Sequence, residues 1–182
     1  MIIGNSGSGK DSLIQEVIKI WPEDKIPLRA ATRYITRTTH ESEPHVSVSP
    51  DVFHRLKNEG NFFLTWHSYD FDYGIGKEVL SWISQGIHVM ANISRTVVTE
   101  VRKKIPRVKV IFISVPLETT ICRLKKRKRE PVDSHLYFKR LLRAKNNQEN
   151  FDADFMIENT GSLQKSVQKL CDYMHSVVKQ KD

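Results

Sequence analysis

The stretch Gly4-Asn5-Ser6-Gly7-Ser8-Gly9-Lys10-Asp11-Ser12 concentrates residue types that hold phosphate. Gly4, Gly9 and Lys10 fill the spacing G-x-x-x-x-G-K, and Gly7 adds a further small residue. Glycines let successive backbone N–H groups turn inward around anionic oxygens. The N-terminus of a following helix adds partial positive charge, and Lys10 can reach terminal phosphates. Chance alone would place this spacing in a chain of such composition about 0.03 times. Residues 4–12 are therefore the predicted cradle for a nucleotide's phosphates. The pattern ordinarily continues with Ser or Thr, whose hydroxyl ligates magnesium between two phosphates. Here Asp11 follows, with Ser12 left to contact a phosphate. A carboxylate is a hard-oxygen ligand, so Asp11 can hold magnesium directly or through a water. Equally, it can merely stabilise the first helical turn.

A second cluster is cationic. Arg123 to Arg129 reads RLKKRKR, six positive residues of seven, followed by Glu130-Pro131, with Arg140 and Arg143 three apart on the next helical stretch. Such a run can close over phosphates, or it can be a solvated basic face or a nucleic-acid patch. No aromatic stacking motif or recognition-helix pattern accompanies it, so nucleic acid is disfavoured as a partner. The seven histidines form neither H-E-x-x-H nor another tight cluster, and no zinc site is expected.

These residues need a scaffold. Apolar runs at Met1–Ile3, Ile87–Ala91, Val108–Val115 and Phe155–Ile157 are apolar on both faces, which predicts buried strands of a parallel sheet. Helical patterns fall at about 11–21, 51–58, 77–85, 95–104, 117–128, 134–150 and 163–179, giving a layered α/β domain. Ser49-Pro50-Asp51 and Ser162 are helix-start signals, and Gly60 and Gly86 are exits. The segment from about residue 29 to 76 breaks the strand–helix rhythm. With His45–Ser47 and Phe62–Ser68 as short strands, it is predicted to be an inserted substrate-binding subdomain.

At 182 residues, 39% hydrophobic and 27% charged, the chain suits one globular domain. The net charge of +8 favours polyanionic partners such as nucleotides or sugar phosphates. Cys122 and Cys171 are expected to be buried free thiols in a reducing compartment. With neither a signal sequence nor a membrane span visible, the expected setting is cytoplasmic. A homodimer is among the assemblies the sequence permits.

GNSGSGKDSL, Arg33-Tyr34-Ile35-Thr36-Arg37, Trp66-His67, Tyr73-Gly74-Ile75-Gly76 and Asn92-Ile93-Ser94-Arg95 together carry a resemblance. The chain resembles, essentially end to end, the ribose 1,5-bisphosphate phosphokinases, a guanylate-kinase-like group of bacterial phosphonate metabolism. The resemblance implies a P-loop NTPase fold: three α/β/α layers, a mainly parallel five-stranded sheet, and small substrate-binding (about 29–76) and lid (about 123–143) insertions in a single domain, 1–182. It implies transfer of phosphate from ATP, with magnesium, to ribose 1,5-bisphosphate, giving 5-phosphoribosyl 1-diphosphate and ADP. Asp after the loop lysine is then a subgroup signature.

The resemblance also implies roles. Lys10 and the lid arginines Arg127, Arg129 and Arg140 are the catalytic candidates, while residues 4–12 with Arg123 and Asn159 hold the nucleotide. Arg33, Arg37, His45, Tyr73, Asn92, Ser94 and Arg95 are the acceptor-binding candidates. Lys128 stands where the family usually has glycine. The F-[IL]-E-W pattern, whose glutamate reads guanine in guanylate kinases, appears here as Phe63-Leu64-Thr65-Trp66, and an acidic pair is replaced by Asn92 and Ser94. Losing buried hydrogen-bond acceptors removes discrimination, so a sugar bisphosphate is favoured over GMP. A nucleoside monophosphate kinase, a catalytically silent binding module and a basic RNA-binding domain are the competing readings. Relatives usually begin several residues earlier, and the first strand, expected to be central, spans only about 10 Å. A longer N-terminal form is therefore expected to be more stable.

Overall fold

The structure is a computed structural model and describes residues 1–38, 44–127, 131–132, 134–146 and 152–179. In chain order the first elements are β1 (Ile2–Gly4), α1 (Lys10–Ile20), β2 (Leu28–Ala30), β3 (Arg33–Ile35), β4 (His45–Ser47), α2 (Pro50–Asn58), β5 (Phe62–Ser68) and β6 (Phe71–Gly76). Then come α3 (Glu78–Ser84), β7 (His88–Met90), a 3₁₀ turn (Arg95–Val97), α4 (Val98–Lys104), β8 (Ile111–Ser114), α5 (Leu117–Arg127), α6 (His135–Asn146), β9 (Phe155–Glu158) and α7 (Leu163–Lys179). No helix of the described residues is long and apolar enough to cross a membrane. Two units are distinguished: Ile2–Lys19 with Lys109–Asp182, and Ile20–Val108 with Met1.

In the first unit β1, β8 and β9 pair parallel in that order, with Ile2 opposite Ile111 and Ile111 opposite Phe155. A parallel group is commonly covered by helices on both faces, so its strands are largely apolar. Ile2, Ile3, Ile111, Phe112, Ile113 and Ile157 are accordingly all buried. Leu13 and Val17, one turn apart on α1, are buried too, as are Val167 and Leu170 on α7. Tyr173 of α7 stacks on Phe155 with ring centroids 4.2 Å apart. Each such aliphatic side chain contributes about 1.5–3 kcal/mol relative to exposure. β1 corrects one expectation: it pairs with β8 alone, at the edge of its group. A strand of three residues offers few groups on its second edge, and no described pairing uses them.

The second unit holds the parallel pair β2–β7 and a four-stranded sheet ordered β4-β3-β6-β5. The parallel strands expected in one five-stranded sheet are thus hydrogen-bonded as three in one unit and two in the other. Ser49 caps α2, accepting from Val52 N at 3.3 Å, with Pro50 in the first turn. Phe53 of α2 stacks on Phe62 at 4.8 Å, and Phe62 meets Tyr34 edge-on at 5.4 Å, which fastens α2 to one sheet face. The helix expected over 95–104 is a 3₁₀ turn followed by α4, because the Ser94 side chain bonds Thr96 N and tightens the entry. Cys122 is exposed rather than buried, since it lies on the outer side of α5. Cys171 is buried, and burial, with Asp172 beside it, pushes its thiol pKa up, so the thiolate is disfavoured.

The β5–β6 hairpin turns through Tyr69 and Asp70, with φ of 53° and 66°. A two-residue turn of this hand suits the strand twist but favours Asn-Gly. The double change Tyr69→Asn/Asp70→Gly is expected to stabilise the protein by about 1 kcal/mol. Equilibrium urea unfolding checks this; no gain would show that the two side chains have contacts worth as much as the strain.

Candidate active site

The glycine loop leaves β1 at Gly4 and enters α1 at Lys10. Gly9 has φ of 88°, and a Cβ added there would lie 2.6 Å from Asn159 Nδ2. Gly4 has φ of 150°, and a Cβ there would strike the Ile113 carbonyl of β8. Both positions therefore admit glycine alone, which ties the sequence pattern to the shape of the loop. Lys10 Nζ folds back over the loop, donating to Gly4 O at 2.8 Å, Asn5 O at 2.7 Å and Ser8 Oγ at 3.3 Å. The ammonium is thus held above the turn whose amides would meet phosphate. Asp11 lies in the first turn of α1, where a carboxylate is favourable, and Ser12 next to it is exposed.

The outside of the loop is gripped by polar groups. Arg123 of α5 donates from Nη1 to Gly7 O at 3.3 Å and Ser8 O at 3.4 Å, and from Nη2 to Asn159 O at 2.8 Å. Asn159, buried just after β9, donates from Nδ2 to Ser8 O at 2.8 Å. Arg140 of α6, also buried, donates from Nη1 to Ser6 Oγ at 2.8 Å, while Asn5 Nδ2 reaches Ala144 O at 3.5 Å. Beside the loop opens a cleft of about 340 Å³ lined by Gly7, Gly9, Ser12, Arg123, Lys126, Asn159, Gly161 and Leu163. Lys126 was not singled out from the sequence, whereas Gly161 and Leu163 lie in the turn and helix start read there, without being named individually as site residues. Lys126 was hidden in a uniform basic run, and the other two adjoin the predicted Ser162 cap, whose hydroxyl accepts from Lys165 N at 3.4 Å.

Of the expected catalytic residues, Lys10 and Arg140 meet at the loop. Arg127 ends α5 with a side chain outside the described residues, and Arg129 lies outside them altogether, as does Lys128. Arg123, expected to touch nucleotide, is also a strut of the loop.

The expected acceptor residues lie in the other unit. Strand register pairs Arg33 with His45 and Ile75, and Ile35 with Ser47 and Tyr73. Because side chains alternate along a strand, Arg33, His45 and Tyr73 share one sheet face. Tyr73 stacks on Trp66 there, with ring centroids 5.4 Å apart and planes within 6°. Thr65 pairs with Gly74 and falls on the opposite face with Tyr34. Arg37 follows β3, its guanidinium 5.9 Å from the Phe71 ring centroid. Asn92 is buried after β7, Ser94 caps the 3₁₀ turn, and Arg95 begins it. His67 bonds Asp72 across the hairpin at 2.9 Å.

The guanylate kinase family profile matches residues 1–177. The chain belongs to the guanylate kinase family. Within this family it is 37% identical over 145 residues to the ribose 1,5-bisphosphate phosphokinase PhnN of Thiobacillus denitrificans, covering 79% of this chain and 75% of that protein. It is 32% identical over 169 residues to the PhnN of Pectobacterium atrosepticum, covering 91% and 87%. The guanylate kinase structure from Anaplasma phagocytophilum superposes with a TM-score of 0.74 at 16% identity, covering 100% of this chain and 86% of that one. At that identity the likeness is one of fold, and it establishes the P-loop guanylate kinase architecture expected from the sequence. The glycine loop, Lys10 and the Arg123–Asn159 grip thus sit within a guanylate-kinase-family fold.

Proposed function

We propose that this protein transfers the γ-phosphoryl group of ATP to ribose 1,5-bisphosphate, releasing 5-phosphoribosyl 1-diphosphate and ADP. The observation that carries the choice of acceptor is Thr65, a neutral residue where guanylate kinases carry the glutamate that reads guanine. A kinase of this family without that acceptor has lost a main reason to prefer a purine. The names of the PhnN relatives support the same substrate.

The residues fit a magnesium nucleotide: the loop's shape depends on glycines whose Cβ atoms would clash with Ile113 O and Asn159 Nδ2, and an ammonium and a carboxylate flank the helix entry. Bound magnesium would neutralise charge on the β- and γ-phosphates. Lys10 would hold phosphate oxygens in place of the loop carbonyls it now bonds, and the α1 N-terminus would favour their negative charge. Arg140, through Ser6, would keep the front of the loop in shape. Arg33, Arg37, His45 and Tyr73 would hold the acceptor's phosphates, with Asn92, Ser94 and Arg95 reaching its hydroxyls and second phosphate. The attacking oxygen belongs to a phosphate that is largely ionised at neutral pH, so no side chain has to remove a proton. Positioning and charge neutralisation carry the rate.

Phosphorus NMR of the protein with magnesium, ATP and ribose 1,5-bisphosphate should show a new sugar diphosphate in step with ADP. An unchanged spectrum would contradict the proposal. Asp11→Ser tests the metal: the magnesium concentration for half-maximal turnover is expected to rise roughly 3–10-fold. An unaltered magnesium dependence would leave Asp11 as a helix-stabilising residue only.

A further inference from the structure

A chain of buried hydrogen bonds runs from α7 to the glycine loop. Ser166, on the buried side of α7, donates from Oγ to Asn159 Oδ1 at 2.9 Å. Asn159 in turn donates from Nδ2 to Ser8 O at 2.8 Å, while its backbone N–H bonds Ser114 O at 2.9 Å. All three side chains, Ser166, Asn159 and Ser8, are at most 3% exposed, so none can exchange its partner for bulk water. An asparagine amide has an oxygen end and a nitrogen end of nearly the same shape, and hydrogen bonds alone decide which end faces which neighbour. The Ser166 hydroxyl supplies that decision, since its proton fixes the oxygen end toward α7 and therefore the nitrogen end toward the loop.

The consequence lies on the other side of the peptide. In a trans peptide the C=O and the following N–H point in opposite directions, and the described residues have no cis bond. With the Ser8 carbonyl drawn outward by Asn159 and Arg123, the Gly9 N–H of the same peptide is aimed away from them, toward the inside of the turn. Gly9, at φ of 88°, could otherwise rotate this peptide at little cost, because glycine is the residue least constrained against it.

We propose that Ser166 is a positioning residue for nucleotide binding: it orients the Asn159 amide, which locks the Ser8–Gly9 peptide with its N–H toward the phosphates. This rests on the nucleotide reading of the glycine loop and adds a residue outside the loop and outside the cleft lining to it. A serine recurring among Leu163, Val167 and Leu170 on the core side of a helix is a polar exception to an apolar stripe, which is the sequence signal for such a role.

The test measures ATP binding by calorimetry and steady-state KM for each substrate in Ser166→Ala, Ser166→Thr and Asn159→Asp. Ser166→Ala should weaken ATP binding roughly 3–10-fold, the effect of losing one buried hydrogen bond, and raise KM for ATP without a matching rise in KM for the acceptor. Ser166→Thr keeps the hydroxyl and should restore affinity to within about twofold. Asn159→Asp keeps the shape but turns an acceptor toward the Ser8 carbonyl, and should weaken ATP binding more than Ser166→Ala does. A lowered melting temperature in Ser166→Ala with unchanged ATP affinity would reduce Ser166 to a core residue and overturn the proposal. If Ser166→Ala does not fold, normal ATP affinity in Asn159→Asp would overturn it as well. Failure of the unaltered protein to bind ATP would overturn the nucleotide reading itself, and this inference with it.

Discussion

Lys10→Ala is expected to lower turnover by about 10²–10³-fold while the protein stays folded. The ammonium is held at 2.7–2.8 Å from two loop carbonyls and at 3.3 Å from the Ser8 hydroxyl, a position reached only from the first residue of α1. In phosphoryl transfer the protein contributes little covalent chemistry, so a fixed positive charge beside the transferring group is a large part of what it can supply. Removing it leaves the glycine turn and the helix N-terminus intact, which is why nucleotide binding should weaken less than turnover. The folded state should lose no more than about 1–2 kcal/mol, since the deleted hydrogen bonds lie in a partly solvated loop. Circular dichroism melts and single-turnover kinetics separate the two effects. Near-normal turnover in a folded Lys10→Ala protein would mean that the loop is not where phosphate is handled.

The second large effect is expected at Gly9. Alanine there must adopt φ of 88° and place its Cβ 2.6 Å from Asn159 Nδ2, against a side chain held by Ser166 and Ser8. Backbone strain of this kind costs about 1–3 kcal/mol, and displacing Asn159 also releases the Ser8 carbonyl. Gly9→Ala should therefore lose stability by that amount and weaken ATP binding more than tenfold. Gly161→Ala, in the same cleft but with nothing within 4 Å of the added Cβ, is the control for stability and should melt close to the unaltered protein. Urea unfolding of both, with calorimetric ATP titration of Gly9→Ala, decides the matter. Equal stability of the two variants would show that the Gly9 backbone relaxes without cost.

Long apolar or strongly periodic segments were legible from sequence because burial on both faces leaves one solution. β8 lies within the segment predicted for it, β9 runs one residue past its predicted end, α7 spans Leu163–Lys179 as predicted, and α2 begins at the predicted Ser49 cap. The strands β2, β3 and β6 were missed for physical reasons. Arg29 and Ala30 are exposed and carry no apolar alternation. β6 contains Gly74 and Gly76, residues that ordinarily weaken a strand. There Gly74 is required because the Phe62 ring lies where its Cβ would be, whereas at Gly76 only the movable Glu78 carboxylate stands in that place. A short sequence motif announced the phosphate loop, since its chemistry needs neighbouring residues. The grip around it comes from Arg123, Arg140, Asn159 and Ser166, each more than 100 residues away, and only tertiary packing places them.

The most direct measurement offers GMP and ribose 1,5-bisphosphate separately, at matched concentrations with magnesium and ATP, and compares kcat/KM for the two acceptors. With Thr65 in place of a guanine-reading carboxylate, kcat/KM for the sugar bisphosphate should exceed that for GMP by at least about 10²-fold. An equal or greater kcat/KM for GMP would contradict the assignment of the acceptor and return the protein to nucleotide phosphorylation.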